Sequence, residues 1–329
     1  MDRPHLQSVG FTCTGADGLA EWFEHWLGCR RLAASEHDAD AYCSLIGLAG
    51  ARLRRLVLAI GEERLELTEV LDPGPHRPGR TVPADSRSND LWFQHICLVV
   101  SDIQGVAPAL QQQITAGALQ PISTNGPQRL PDWNTAAAGI VAFKLHDPQG
   151  HPLELLQFPG DKGDVRWHQS AVAPVLGIDH SAIGVSDPGC TARFYGELLG
   201  LCSGGGGTNS GPEQDRLDGL EATEVGISAW RAPQGMGIEA LAYRQPADGR
   251  PQPADFGAQD LSHWQIRLEV NDLADILSRL ETCGGRQISE GILDLQGCLL
   301  DLQGCLGGDW SQGLQVADPD GHRLQLLSR

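Results

Sequence analysis

Residues 83–91 read PADSRSNDL and residues 253–261 read PADFGAQDL, so one stretch recurs 170 positions later in the chain. The similarity continues downstream, where QHICLVVSD at 94–102 corresponds to WQIRLEVND at 264–272 at the same offset. A nearly fixed offset over successive segments is the signature of an internal repeat. The repeat therefore determines the architecture of the chain.

Two further pairs of segments repeat at offsets of 171 and 172 positions: DPQGHPLELL at 147–156 with DPDGHRLQLL at 318–327, and LAEWFEHWLGC at 19–29 with TARFYGELLGL at 191–201. These matching segments extend over most of the 329 residues. The chain is therefore a duplication, with one half near 1–160 and the other near 175–329.

Each half divides again into two similar quarters. HICLVVSDIQGVAPALQQQITAG, which begins at His95, opens with an apolar strand pattern, turns at Ser101 and Asp102, and continues with helical spacing of its apolar residues. HSAIGVSDPGCTARFYGELLG, which begins at His180, has the same form. In both, the His precedes the Asp of the turn by seven residues. The second quarter thus resembles the third, and the repeat is fourfold.

Every quarter is predicted to form a βαβββ module, because its first strand and helix are followed by about three more strand-like runs. We predict an α+β fold in which four modules pair into two domains, each a curved mixed β-sheet cup with helices on the outside. The predicted domains and modules are 1–160 (modules 5–72 and 92–158) and 175–329 (modules 176–245 and 262–328), with a linker at 161–174.

Composition excludes several classes of function. The formal net charge of −18 repels polyphosphate and no basic cluster offsets it, so nucleic acid is not an expected partner. No run approaches the ~18 apolar residues of a membrane helix, and no secretory signal is visible, so we expect a cytoplasmic protein. The nine cysteines have no metal-binding spacing and are expected to be reduced thiols.

Two features of the second half carry local predictions. LDLQGCL occurs at 293–299 and again at 300–306, and we predict that it extends a hairpin of the fourth module; a self-pairing interaction surface is the alternative. The run of four glycines at 204–207 lacks the Lys and Ser/Thr of a phosphate loop. It is predicted to form a flexible loop over the mouth of a cup.

A strand that begins with His, a V-S-D turn, a helix ending in FYGELLG and a final hairpin of the form DPxGHxLxLL together resemble the vicinal oxygen chelate superfamily. This is the group of glyoxalases, bleomycin-resistance proteins and ring-cleaving dioxygenases. The resemblance extends over all four modules. It implies the cup-shaped fold but not one reaction, because the group contains isomerases, lyases, transferases, oxygenases and metal-free binding proteins.

The resemblance also implies where a metal would bind, at one position in the first and one in the last strand of each module. In this sequence the eight positions are Ser8, Glu66, His95, Glu154, His180, Glu239, Gln265 and Gln325. If consecutive modules pair, the resemblance implies a divalent-metal site formed by His95, Glu154 and Glu66. Glu154 and Glu66 would then be the catalytic carboxylates. Imidazole and carboxylate bind such cations at neutral pH, and Ser8 would leave a coordination position open.

The second half departs from the family pattern, since Gln265 and Gln325 are poor ligands. A second, weaker candidate site consists of His180, Glu239 and His263, where His263 would replace Gln265 by a shift along the strand. That set has two histidines and one carboxylate, which suits Fe(II).

Three functions therefore remain open. The first is a lyase or isomerase that binds one divalent metal (Mg, Mn, Ni, Zn or Fe) and acts on a small substrate with bidentate carbonyl or hydroxyl oxygens. The second is a ring-cleaving or 2-oxo-acid-type dioxygenase with Fe(II). The third is a metal-free small-molecule binding protein with the same fold. The expected partner is a small-molecule substrate, with no membrane, and a homodimer is left open.

Overall fold

The computed structural model describes residues 4–168, 173–299, 304–305 and 308–329. Part of the predicted linker, 169–172, lies outside these residues, as does most of the second LDLQGCL copy. The first two repeat units contain these elements: β1 His5–Cys13, α1 Ala16–Leu27, β2 Arg30–Asp38, α2 Ala41–Leu45, β3 Arg52–Ile60 and β4 Glu63–Asp72; then β5 Gln94–Val100, α3 Ile103–Thr115, β6 Gln128–Arg129, β7 Val141–His146 and β8 Pro152–Gln157.

The third and fourth units repeat this plan after a short 3-10 turn at Val165–His168. Their elements are β9 Val175–Gly184, α4 Pro188–Thr191 with a π-helical continuation Ala192–Leu198, β10 Cys202–Ser210, α5 Pro212–Asp218, β11 Glu224–Arg231, β12 Gln234–Gly235 and β13 Gly237–Gln245; then β14 Trp264–Glu269, α6 Leu273–Arg279 with a 3-10 turn Glu281–Cys283, β15 Arg286–Gln287, β16 Leu293–Asp294, β17 Gln312–Ala317 and β18 Arg323–Ser328.

The Asp of the turn after the first strand begins the helix in three units. Asp102, Asp187 and Asp272 each stand at the N-cap, and their side chains accept hydrogen bonds from backbone N–H groups of the first helical turn. An aspartate at this position satisfies a backbone donor that the helix itself leaves unpaired. The repeated motif therefore encodes the strand-to-helix transition.

Two sheets contain the strands. Sheet I has the order β15-β17-β18-β14-β1-β4-β3-β2, with β12 against β1 and β16 against β17; sheet II has the order β10-β11-β13-β9-β5-β8-β7-β6. The predicted α+β fold with curved mixed sheets is confirmed. The four glycines at 204–207 lie within strand β10, so the loop predicted for them is wrong.

The modules pair differently from the prediction. Antiparallel pairing of β1 with β14 joins the first unit to the fourth in sheet I, and pairing of β5 with β9 joins the second to the third in sheet II. The expectation that consecutive modules of each half share a sheet is therefore wrong. The reason lies in the connections at 73–93 and 246–263, which carry the chain from one sheet to the other.

The repeated stretches PADSRSNDL and PADFGAQDL hold these two connections together. The guanidinium of Arg250 donates to Asp90, with Nη2 at 2.7 Å from Oδ2, and Arg80 donates to Asp260, with Nη2 at 3.0 Å. Both aspartates are buried, at 0 % and 1 % exposure. Each aspartate thus fixes the opposite connection, and the repeat that reveals the duplication also forms the crossing between the sheets.

The two sheets differ in what occupies their inner faces. Leu65 and Leu67 of β4, and Leu153 and Leu155 of β8, belong to the main apolar cluster, so Glu66 and Glu154 between them point to the opposite face. In sheet I that face is filled by a second apolar cluster: Tyr42, Cys43, Leu45, Ile46, Leu48, Ala51, Leu53, Val57, Ala258, Leu295, Leu299, Trp310 and Leu327. Sheet II instead has a cavity of about 580 Å³.

Candidate metal centre

Four side chains that can bind a metal converge on the four central strands of sheet II. Glu239 lies on β13, His180 on β9, His95 on β5 and Glu154 on β8, in the order in which these strands pair. Equivalent positions of the second and third units thus meet because β5 and β9 pair. The cluster therefore combines His95 and Glu154 of the first predicted site with His180 and Glu239 of the second.

Distances within the cluster are short. His95 Nε2 lies 3.1 Å from Glu154 Oε2, and His180 Nε2 lies 3.4 Å from Glu239 Oε2 and 3.9 Å from Glu154 Oε2. One ligand atom each of His95, Glu154 and His180 lie within 4.8 Å of one another. A divalent cation about 2.0–2.2 Å from each ligand atom needs separations of this order.

The cluster is buried at the base of the cavity. His95, Glu154 and His180 are at most 6 % exposed, and Glu154, His180 and Glu239 line the cavity wall. Burial by itself raises the pKa of the Glu154 carboxyl. The effects of Lys144 and His95 are opposite and larger together, so the pKa is lowered to about 2. Glu154 is therefore ionised at neutral pH, the state in which a carboxylate binds metal.

Asp179 sets the orientation of His180. Its Oδ2 lies 2.8 Å from His180 Nδ1, and it is itself held by Arg231, with Nη2 at 2.6 Å. Because Nδ1–H donates to Asp179, Nε2 is the ring nitrogen that faces the cluster. Within the described residues His180 Nε2 is buried and accepts no hydrogen bond. Burial lowers the pKa of His180, but Cys97 and Glu239 raise it well above its ordinary value, so the ring holds a proton between two carboxylates, where a divalent cation would replace the proton on Nε2.

Comparison with known proteins shows the fold. No protein-family model and no curated protein sequence matches the chain. Among solved structures, glyoxalase I from Zea mays matches 99 % of this chain and 92 % of its own, at 13 % identity and a TM-score of 0.58. A Bacillus subtilis protein assigned as a dioxygenase matches 98 % of this chain and 84 % of its own, at 12 % identity and a TM-score of 0.51.

This chain has the vicinal oxygen chelate fold. The fold extends over all four modules, as the sequence motifs predicted. None of the helices in the described part of the chain is long and apolar enough to span a bilayer.

In this vicinal oxygen chelate fold, Glu66 does not join the cluster. It lies on β4 in sheet I, where its carboxylate accepts a hydrogen bond from Ser8 and lies 2.9 Å from Arg267 Nη2 and 4.0 Å from Arg55 Nε. Both arginines are buried, at 0 % and 1 % exposure. Glu66 therefore partners buried guanidinium groups, and its prediction as a metal ligand beside His95 fails because the two residues belong to different sheets.

The remaining predicted positions lie in sheet I or, for His263, directly before its strand β14. The Gln265 Nε2 amide donates a hydrogen bond to the Tyr42 hydroxyl at 3.3 Å, and Gln325 Oε1 accepts one from Arg267 Nε at 2.8 Å. His263 is buried beside Thr12, with Nδ1 at 3.1 Å from Oγ1, and does not accompany His180. Burial lowers the pKa of His263 to about 3, so it is a neutral core residue.

Two charged residues at the cavity were not predicted from the sequence. Lys144 lines the cavity and Asp218 adjoins it. Lys144 lies on β7 with its ammonium 2.7 Å from Asp218 Oδ1, and both are buried. The available signal was a lysine in the apolar strand run VAFKLH, since a buried lysine needs a partner. Asp218 gave no comparable signal, because its role depends on the position of α5.

We expect Asp179→Asn to lower the affinity for a divalent cation by about 10- to 100-fold without unfolding the protein. The amide loses the charge that orients His180 through Nδ1–H, and removal of such outer partners has an effect of this size. Titration of the apoprotein with zinc against a chromophoric chelator measures it. Asp132→Asn, at an exposed pair with Arg129, is the control and should match the wild type.

Proposed function

We propose that the chain is a divalent-metal-dependent enzyme of the lyase or isomerase kind, acting on a small substrate with two neighbouring carbonyl or hydroxyl oxygens. One observation carries the proposal: His95, Glu154, His180 and Glu239 converge at the base of a cavity of about 580 Å³. A cavity of this volume suits a small molecule. The fold shared with glyoxalase I from Zea mays supports the same class of reaction.

The residues that would hold the metal are His95, Glu154 and His180, with Glu239 as the fourth candidate ligand. A bound divalent cation supplies Lewis-acid polarisation of a substrate carbonyl, which acidifies a neighbouring C–H bond. The set of two imidazoles and two carboxylates accepts Zn, Ni, Mn or Fe, and Mg less readily because Mg prefers oxygen ligands.

Glu239 is the best-placed general base. Its side chain is 23 % exposed, against 8 % for Glu154, so it has more access to the cavity. Burial raises the pKa of Glu239, but His180 lowers it below its ordinary value, so the carboxylate is ionised and accepts a proton. Apolar side chains of the cavity wall, such as Leu156, Ile227 and Leu241, limit water beside this base.

Metal analysis tests the proposal. Protein purified without chelators, or reconstituted after dialysis, should hold about one equivalent of a non-redox divalent metal. Proton exchange at the carbon next to the carbonyl of small 2-hydroxy ketones in D2O, followed by NMR, should depend on that metal and be lost in Glu239→Gln. No metal after reconstitution would contradict the proposal and favour a metal-free binding protein.

A dioxygenase is the second candidate, on a specific observation. His95, His180 and Glu154 form a set of two histidines and one carboxylate, which is the ligand set of non-haem Fe(II) oxygenases. If Glu239 stays off the metal, positions for substrate and oxygen remain open. Iron as the bound metal, together with oxygen uptake in the presence of catechols or 2-oxo acids, would favour this function over the first.

A further inference from the structure

We propose that Lys144 is a substrate-binding residue, and that it takes a carboxylate of a small organic acid whose neighbouring oxygens reach the metal cluster. The inference rests on the proposed function, because it concerns the substrate of the same site. It narrows that substrate from any bidentate oxygen compound to a 2-oxo or 2-hydroxy acid.

Strand register places Lys144 beside the cluster. Lys144 of β7 is directly opposite Glu154 of β8 in the antiparallel pair, and both residues line the cavity. Opposite residues of neighbouring strands have their side chains on the same face, with Cβ atoms about 4.5–5.5 Å apart. The ammonium is therefore within reach of a ligand bound at Glu154.

Asp218 keeps the ammonium off the cluster. Its Oδ1 lies 2.7 Å from Lys144 Nζ, while Oδ2 accepts hydrogen bonds from Tyr243 Oη at 2.9 Å and from Gln214 Nε2 at 2.8 Å. Over the described ranges, Lys144 makes no ion pair within 4.0 Å other than that with Asp218. A carboxylate fixed by three donors thus prevents the lysine from pairing with Glu154 and competing with a metal.

The ammonium keeps donors for a ligand. It has three N–H donors, and Asp218 is its hydrogen-bond acceptor among the residues that the structure describes. Lys144 is only 4 % exposed, so bulk water does not surround the others. A buried ammonium is costly unless its donors are used, and the cavity it lines is where an acceptor can bind. The N–H groups of Lys144 that do not point to Asp218 can therefore donate hydrogen bonds to an oxygen of a bound ligand.

Charge favours a carboxylate as that acceptor. A divalent cation balances Glu154 and Glu239, and Lys144 balances Asp218, so an incoming carboxylate meets no net negative charge. Charge-assisted hydrogen bonds are roughly twice as strong as neutral ones. Phosphate would need several donors or a bidentate guanidinium, and Arg231 and Arg166, which line the cavity, already pair with Asp179 and Glu63.

Oxalate and imidazole distinguish this role in the Co(II)-loaded protein, with visible absorption as the readout. Oxalate is a small bidentate acid with a further carboxylate oxygen for Lys144, whereas imidazole is a neutral metal ligand. We expect Lys144→Met to bind oxalate about 10- to 100-fold more weakly, as for loss of one charge-assisted hydrogen bond, and imidazole as the wild type does. Lys162→Met, at a half-buried lysine whose ammonium donates to the Thr135 carbonyl and not to the cluster, should leave both affinities unchanged.

A double variant protects the test against misfolding. Lys144→Met alone leaves the buried Asp218 carboxylate without its cation, whereas Lys144→Met/Asp218→Asn removes both charges together. The double variant should bind cobalt about as well as the wild type, since one positive and one negative charge are removed together, and should still bind oxalate weakly. Equal oxalate affinity in wild type and variants would overturn the inference alone. Failure of the wild type to bind cobalt would overturn the proposed function and this inference with it.

Discussion

Glu154→Gln is expected to lower the affinity of the protein for a divalent cation by more than about 100-fold. The carboxylate lies 3.1 Å from His95 Nε2 and 3.9 Å from His180 Nε2, so it is the residue common to both imidazoles. The amide keeps the size of the side chain but removes its charge and leaves one weak oxygen donor. Because loss of an outer partner alone costs about 10- to 100-fold, loss of a ligand should cost more.

Zinc or cobalt titration of the apoprotein measures this affinity, with circular dichroism to establish that the variant is folded. The matched control is the same change at the equivalent position of sheet I, Glu66→Gln. Wild-type affinity in a folded Glu154→Gln variant would show that the metal binds elsewhere or not at all.

Glu66→Gln should instead destabilise the protein by about 3–5 kcal/mol while leaving metal affinity unchanged. Glu66 is 1 % exposed and lies 2.9 Å from Arg267 and 4.0 Å from Arg55, both buried. Removing one partner of a buried ion pair has a cost of this size, because a carboxylate that compensates a buried guanidinium is lost in a medium of low dielectric. The midpoint and slope of urea unfolding give the change in free energy.

Opposite outcomes at the two glutamates are the essential feature of these predictions. An unfolding free energy within about 1 kcal/mol of the wild type for Glu66→Gln, together with loss of metal, would restore Glu66 as a ligand. A replacement of Glu66, Arg55 and Arg267 together by apolar residues of similar size is expected to recover part of the lost stability, as well-packed apolar groups do in place of buried ion pairs.

The repeat and the alternation of side chains could be predicted from the sequence because both are local properties. Leu153 and Leu155 face the apolar core and Glu154 faces the cavity, as the period-2 pattern of PLELLQF indicates. The aspartate of each V-S-D turn likewise begins its helix through contacts within three residues. Such features do not depend on which other unit lies beside the strand.

The pairing of the units could not be predicted in the same way. All four first strands have a similar pattern, so the edge of β5 is equally suited in sequence to β1 or to β9. The choice is made by the connections at 73–93 and 246–263, which cross between the sheets through contacts of Arg250 with Asp90 and Arg80 with Asp260. These contacts join residues that are about 160 to 180 positions apart in the sequence. They form only when the chain is folded, so no local sequence pattern predicts them.

The pairing of the units also decides which of the candidate ligands lie together. His95 with Glu154, and His180 with Glu239, were each placed on equivalent strands from the repeat. Combining the pairs needed the correct sheet. Once the second and third units share a sheet, the equivalent positions of the first and fourth, Ser8, Glu66, Gln265 and Gln325, fall together in sheet I, where Arg267 donates to Gln325 and pairs with Glu66.

Sheet I therefore provides its own cation where sheet II has a cluster suited to a metal. The Arg267 guanidinium occupies the place between Glu66 and Gln325, and Tyr42 of α2 contacts Gln265 and stacks on Arg55, whose Cζ is 4.4 Å from the ring centroid. This filling accounts for the absence of strong ligands at three of the four positions.

The most direct measurement is the anomalous scattering of crystals grown with zinc or cobalt, recorded above and below the absorption edge of the metal. We expect one strong peak per chain, bounded by His95 Nε2, Glu154 and His180 Nε2 in sheet II. A peak beside Glu66, or no peak near those three side chains in metal-saturated crystals, would contradict it.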